Sequence, residues 1–178
     1  MEIRLGPLRP RDRARVAELL VSTRVFSDEE VAVALQLFDV SVHARANGAD
    51  DALPPDYEFT GAFEGKQLLG YACAGPTPAT DGTYDLYWLA VDPAVQGKGV
   101  GRTIVRDVER QLRERGARML LVETSSRPDY SKTRAFYARC GYIEAARIRD
   151  FYAPADDRIM LTTRLSGTIT RERGAATR

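Results

Sequence analysis

Residues 86–102, L-Y-W-L-A-V-D-P-A-V-Q-G-K-G-V-G-R, constrain this chain more than any other stretch. The segment opens as an apolar strand and breaks at Asp92-Pro93, where Pro93 has no N–H to give to a ladder. Gln96-Gly97-Lys98-Gly99-Val100-Gly101 then leads directly into apolar residues at helical spacing, Ile104, Val105, Val108 and Leu112. Glycines at alternate positions let backbone approach a ligand without obstruction by Cβ. The first N–H groups of a helix have no partner within it, and the helix dipole puts positive charge there. A strand, a glycine loop and a helix N-terminus in this order suit a phosphate or pyrophosphate. The same residues also make a tight strand-to-helix turn with no ligand.

Two phosphate loops are excluded by spacing. A P-loop needs Lys followed by Ser or Thr, and Gly99 follows Lys98. The dinucleotide fingerprint G-x-G-x-x-G has Arg102 where its third glycine belongs. What remains, V-x-P-x-x-Q-G-x-G-x-G after an apolar strand, closely resembles the acetyl-CoA signature of the GNAT N-acetyltransferase superfamily, with Gln96, Gly99 and Gly101 filling the Q/R-x-x-G-x-G/A loop.

At 178 residues the chain is long enough for one domain with a real core. We expect a single domain over residues 1–166, followed by a polar, disordered tail over 167–178. A formal charge of +1 lacks the basic excess of a nucleic-acid footprint. Cys73 and Cys140 fit a reducing cytoplasm better than a disulfide scaffold, and one histidine makes a zinc cluster implausible. His43 reads as a surface residue of the second helix rather than a base. No segment reads as a signal peptide or a membrane span, so a cytoplasmic location is expected.

Taken in order, the chain predicts a short strand at Ile3 and Leu5, then a helix from Pro10 to about Ser22. Ser27 and Glu30 form a capping-box pattern ahead of a second helix bearing Val31, Ala34, Leu35 and Phe38. Residues 47–55 read as a loop. Strands at 57–63 and 67–74 are joined by Glu64-Gly65-Lys66 as a hairpin. The central strand covers 84–91, and the helix after the glycine loop ends near Gly116. Residues 119–123 are nearly all apolar, as in a strand covered on both faces. A helix over 131–140 closes at Gly141, with Phe136 and Cys140 marking its apolar face, and strands at 142–147 and 158–165 finish the chain. The resulting β-α-α-β-β-β-α-β-α-β-β order is α/β, and it is also the order of the GNAT fold. The resemblance thus extends over residues 2–165 and implies a mixed, mostly antiparallel sheet flanked by helices.

The resemblance has a second anchor in Phe136-Tyr137 and Gly141-Tyr142, where the family carries a Tyr beside the CoA sulfur. It implies that Tyr137 protonates the leaving thiolate, which suits a phenol still protonated at neutral pH. The alternative is a core aromatic. Where the family has an Asn seven residues earlier, this chain has Tyr130. The resemblance further implies that Leu89, Ala90 and Val91 hold the pantetheine arm, and that Gln96, Gly97, Lys98, Gly99, Val100, Gly101 and Arg102 hold the pyrophosphate. An amine must lose its proton before it attacks. Asp85 and Glu123 are the rival bases, each equally readable as an ordinary polar residue near a strand end. Asp28, Glu29 and Glu30 read as N-terminal helix charges, while Tyr152 and Asp156 remain open as acceptor contacts. The function implied is acetyl-CoA-dependent N-acetylation of a primary amine on a small molecule, with a homodimer left open and no nucleic-acid or membrane partner. The rivals are acetylation of protein N-termini or lysines, and a catalytically silent acyl-CoA-binding regulator.

Overall fold

The computed structural model describes residues 2–46 and 57–165, the side chains of 43–46 excepted. The expected loop at 47–55, the tail at 167–178 and the side chain of His43 lie outside the described residues. Seven strands form one sheet: β1 (Arg4–Pro7), β2 (Glu58–Glu64), β3 (Gln67–Pro76), β4 (Thr83–Val91), β5 (Met119–Ser125), β6 (Ile143–Ala153) and β7 (Asp156–Arg164). Their spatial order is β1-β2-β3-β4-β5-β7-β6. Every neighbouring pair is antiparallel except β4 and β5, which are parallel.

Helices α1 (Arg13–Thr23) and α2 (Asp28–Ala46) lie on one face of the sheet, α3 (Val100–Glu114) and α4 (Ser131–Cys140) on the other. A 3-10 turn at Pro10–Asp12 precedes α1, so the helix proper starts three residues beyond Pro10. The capping box forms as the spacing predicts: Ser27 N–H donates to Glu30 Oε2 (2.7 Å) and Glu30 N–H to Ser27 Oγ (3.2 Å). At the end of α3, Gly116 takes φ +80°, and the bonds Ala117 N–H to Leu112 O and Gly116 N–H to Arg113 O complete a Schellman cap.

Two cores result. On the α3 side Ile104, Val105, Leu120, Val122 and Ile159 pack with Tyr137 and Tyr142. On the α1–α2 side Leu19, Leu20, Phe38 and Phe59 pack with Tyr71 and Ala90. Three expectations are corrected here. β5 is covered on one face only: Leu120 and Val122 are buried, Leu121 is half-buried and Glu123 is exposed, because α1 and α2 pack on β2–β4 and leave this side of β5 bare. The buried side chain of α4 is Tyr137, while Phe136 and Cys140 are half-buried. β6 runs on to Ala153, since hairpin pairing with β7 carries it past the apolar residues that marked it.

The Tyr71 ring is wholly buried, and its hydroxyl has no hydrogen-bond partner among the described residues. A buried polar group without a partner costs free energy. Tyr71→Phe is therefore expected to leave stability unchanged or raise it by about 1 kcal/mol. Denaturant unfolding of the variant checks this, and a loss of several kcal/mol would show that the hydroxyl is bonded.

Candidate active site

The site is built around the place where β4 and β5 part. They pair at Thr83–Met119, Tyr84–Leu120 and Asp85–Leu121 and no further. Just beyond, β4 carries a bulge. Cys73 of β3 faces Trp88 and Ala74 faces Leu86, so Tyr87 is an extra residue. Bulges bend a strand and raise its twist, which turns β4 away from β5 and opens a fork. The bulge also resets the alternation of side chains. Tyr84, Leu86, Leu89 and Val91 all reach the α3-side core, while Trp88 and Ala90 reach the other.

Register determines which backbone groups the fork exposes. Asp92 N–H donates to Leu69 O at 2.8 Å, so residue 92 turns toward β3. Antiparallel alternation then turns Ala90 toward β3 as well, and Val91 and Leu89 toward the vacated edge. Two of the three expected strand residues thus offer backbone to the fork. Ala90 does not: its N–H serves β3 and its methyl is fully buried under α1 and α2.

The glycine loop continues from this edge. Asp92 Oδ1 accepts Ala94 N–H at 2.9 Å, and Arg15 of α1 pairs with the same carboxylate. The Ala94 bond, helped by Arg15, holds the Asp92 carboxyl below the usual carboxylate range. Gln96 Nε2 donates to Val91 O at 3.1 Å, so this side chain fastens the loop to the strand end. Gly97 and Gly99 take φ +77° and +88°, and among the described residues none beyond the chain neighbours comes within 4 Å of where either Cβ would stand. Thr103 N–H makes the first main-chain bond of α3, to Gly99 O at 3.0 Å, which leaves the N–H groups of Val100, Gly101 and Arg102 at the open helix end. Val100 contributes backbone only, its side chain being 1% exposed. A Cβ at Gly101 would stand 3.4 Å from the Phe136 ring and from Val91 Cγ2. Lys98 and Arg102 are exposed beside the loop.

The candidate acid and bases flank the fork. Tyr137 is 4% exposed and lies edge-on to Phe136 (5.0 Å between centroids) and Tyr142 (5.3 Å). Burial pushes its phenol well above the ordinary range, so it keeps its proton. Glu123 lies two residues past the last β4–β5 pair, on the bare face. Its carboxylate accepts from the Tyr152 hydroxyl and pairs with Arg158. Asp85 sits at the last pair itself and accepts from Thr77 Oγ1 at 2.6 Å. Asp156 is 7% exposed and takes a hydrogen bond from Ser125 Oγ. Tyr152, left open above as an acceptor contact, reaches Glu123, while Arg158 and Thr77 reach these carboxylates with no local sequence signal to mark them. No group of residues suited to hold a metal occurs among the described residues.

A sheet that opens onto backbone donors and a glycine-lined helix end is the arrangement of a known family of transferases. The model of the acetyltransferase (GNAT) family matches residues 18–142, and the chain belongs to that family. It is 37% identical to a GNAT-family acetyltransferase of Desulfovibrio desulfuricans solved by crystallography, with a TM-score of 0.84 over 93% of this chain and 100% of that one. It is 32% identical over 101 residues to the N-alpha-acetyltransferase RimI of Mycobacterium tuberculosis, a match covering 55% of this chain and 60% of RimI. It is 34% identical over 118 residues to the mycothiol acetyltransferase of Thermomonospora curvata, covering 65% of this chain and 37% of that protein. The matches thus span less than two thirds of these two relatives. No described helix is long and apolar enough to cross a membrane.

The loop geometry gives a controlled test. Gly99→Ala strains a left-handed position and places a methyl where an anion would approach, and acetyl-CoA affinity is expected to fall by about tenfold or more. Gly116→Ala carries the same kind of strain, about 1 kcal/mol, at the far end of α3 and should leave affinity unchanged. Calorimetric titration of both variants checks this. Equal affinities would remove the loop from the site.

Proposed function

We propose that the chain is an acetyl-CoA-dependent N-acetyltransferase that acts on a primary amine of a small molecule by direct attack on the thioester. The observation that carries this reading is the fork: the outward-turned backbone of Leu89 and Val91 runs into the open N-terminus of α3. The residues fit the co-substrate. The N–H groups of Gly99, Val100, Gly101 and Arg102 would hold the pyrophosphate at the positive end of the helix, with Gly97 and Lys98 alongside. The backbone of Leu89 and Val91 would pair with the amides of the pantetheine arm as a strand does. Acetyl-CoA supplies the activated acyl group.

The remaining chemistry falls to side chains around the fork. The Leu89 N–H is suited to stabilise negative charge developing on the acyl oxygen. Glu123, on the bare face where the strands separate, is placed to accept the amine proton, directly or through water, with Tyr152 and Arg158 fixing the carboxylate. Asp85, bonded to Thr77, would add negative charge that draws a cationic amine to the same face. Tyr137 would donate its proton to the departing thiolate. Its raised pKa makes full transfer uphill against a thiol near 8.5, so much of its contribution would be a hydrogen bond. For the same reason it should impose no alkaline limb on the rate below about pH 10.

A second reading has a specific observation behind it. The similarity to an N-alpha-acetyltransferase favours a protein α-amine as acceptor, whereas the mycothiol acetyltransferase favours a small molecule. Thiol release from acetyl-CoA, measured across small amines, polyamines, amino acids and short peptides, separates them. Release with peptides alone would replace the small-molecule reading. Tight acetyl-CoA binding with no release for any amine would mark an acyl-CoA-binding regulator.

Two substitutions test the assigned roles. Tyr137→Phe removes a proton donor and little volume. Turnover should fall about 10²-fold, the low end for a lost general acid, in kcat and kcat/KM together, with acetyl-CoA affinity kept. Glu123→Gln should cost about 10²-fold or more, and Asp85→Asn clearly less. Unchanged kcat in folded Tyr137→Phe would make it a core residue, and the reverse order of the two carboxylates would make Asp85 the base.

A further inference from the structure

The two lips of the fork carry different parts of the chain. The turn between α1 and α2 shares a core with the far part of β4: Phe26, Val31 and Trp88 each pack against the cluster that includes Leu19, Leu20, Phe38 and Ala90. Residues 125–130 ride on the β5 lip and are held there as one body. Ser126 N–H donates to Asp157 O (2.9 Å) and Asp157 N–H to Ser126 Oγ (2.8 Å). Arg127 N–H donates to Ser125 Oγ (3.0 Å), and Arg134 bonds both Ser125 O (2.6 Å) and Arg127 O (2.9 Å). Past Asp85–Leu121 the strands themselves no longer join the lips.

Tyr130 rejoins them. Its hydroxyl donates to Val25 O at 3.0 Å, bridging the β5–α4 loop and the α1–α2 turn. The ring is half-buried, and the Arg127 guanidinium stands over it at 5.4 Å, so the phenol has a seat of its own on the β5 lip. The turn it reaches begins at Arg24, a non-glycine residue in the left-handed region (φ 55°), and ends in the Ser27–Glu30 capping box.

We propose that Tyr130 is a positioning residue for the acceptor: its hydroxyl latches the α1–α2 turn across the mouth of the fork and sets the width of the opening through which an amine reaches the thioester. This rests on the acetyltransferase reading above. Glu123 and Asp85 lie on the sheet face that carries α1, α2 and this turn, so an amine reaching them would approach on the latched side. Acetyl-CoA, held by the loop and the edge of β4, does not depend on it. One hydrogen bond of ordinary net strength shifts an open–closed equilibrium by about three- to tenfold.

Tyr130→Phe keeps the ring and its seat and removes only the donor. Amide exchange of the free protein is expected to speed up about three- to tenfold at Arg24, Glu30 and Val31, whose N–H groups bond within the turn, and to stay unchanged in β2 and β3. With the best amine from the thiol-release panel, KM for the amine should rise by a similar factor, while kcat and acetyl-CoA affinity stay within about twofold. Unchanged exchange in the turn overturns the latch. Faster exchange with an unchanged amine KM, or an equal loss of acetyl-CoA affinity, overturns its role toward the acceptor. A wild-type protein that acetylates no amine defeats the acetyltransferase reading, and this role with it, before any variant is compared, whereas failure of the latch alone appears only as a missing difference between the two proteins.

Discussion

The backbone hydrogen bonds that β4 does not make are the constraint on which this structure depends. A sheet normally satisfies both edges of an interior strand. Here β5 leaves β4 after Asp85–Leu121, and Leu89 and Val91 are left with N–H groups turned toward open space. Among the described residues Gln96, reaching back to Val91 O, partly fills the edge. The extra residue at Tyr87 bends β4 away, the parallel β4–β5 pairing sends both strands out of the same end of the sheet, and α3 begins where β4 stops. Unsatisfied strand edge and unsatisfied helix end are therefore contiguous, and a ligand with amides at one end and phosphates at the other would complete both.

What holds the fork open is the packing on either side. Helices α1 and α2 bury Ala90 and cover part of Trp88, while α3 and α4 bury Leu120 and Val122. Past the bulge β4 alternates between both cores, Leu89 and Val91 on the α3 side and Trp88 and Ala90 on the other, whereas Leu120 and Val122 of β5 are held by the α3-side core. The salt bridge from Arg15 to Asp92 ties the first helix to the start of the glycine loop, and Tyr130 ties the turn after that helix to the other lip. The exposed β4 edge is thus framed by side chains drawn from distant parts of the chain.

Local rules account for what was legible in the sequence. The glycine loop, the Ser27–Glu30 box and the glycine stops at Gly116 and Gly141 depend on residues within a few positions of each other, and they form where the spacing predicts. Apolar runs located the strands, yet run composition could not say which faces would be covered. β5 reads as buried throughout, and its Glu123 face is bare because neither α1 nor α2 packs there. The bulge at Tyr87 has no local signature, since it is set by pairing with β3. The partners of Glu123 come from the β6–β7 hairpin, and that of Tyr130 from the turn between the first two helices. These contacts follow from strand order, which periodicity does not encode.

Backbone amide shifts during titration with acetyl-CoA test the central claim most directly, because they read the unpaired groups themselves. The largest changes are predicted at Leu89, Val91 and 99–102, with Ala90, whose N–H faces β3, changing less than its two neighbours. An alternating pattern along β4 that runs into α3 would place the co-substrate in the fork. Saturable binding with shifts concentrated elsewhere, or equal shifts at Leu89, Ala90 and Val91, would contradict the account.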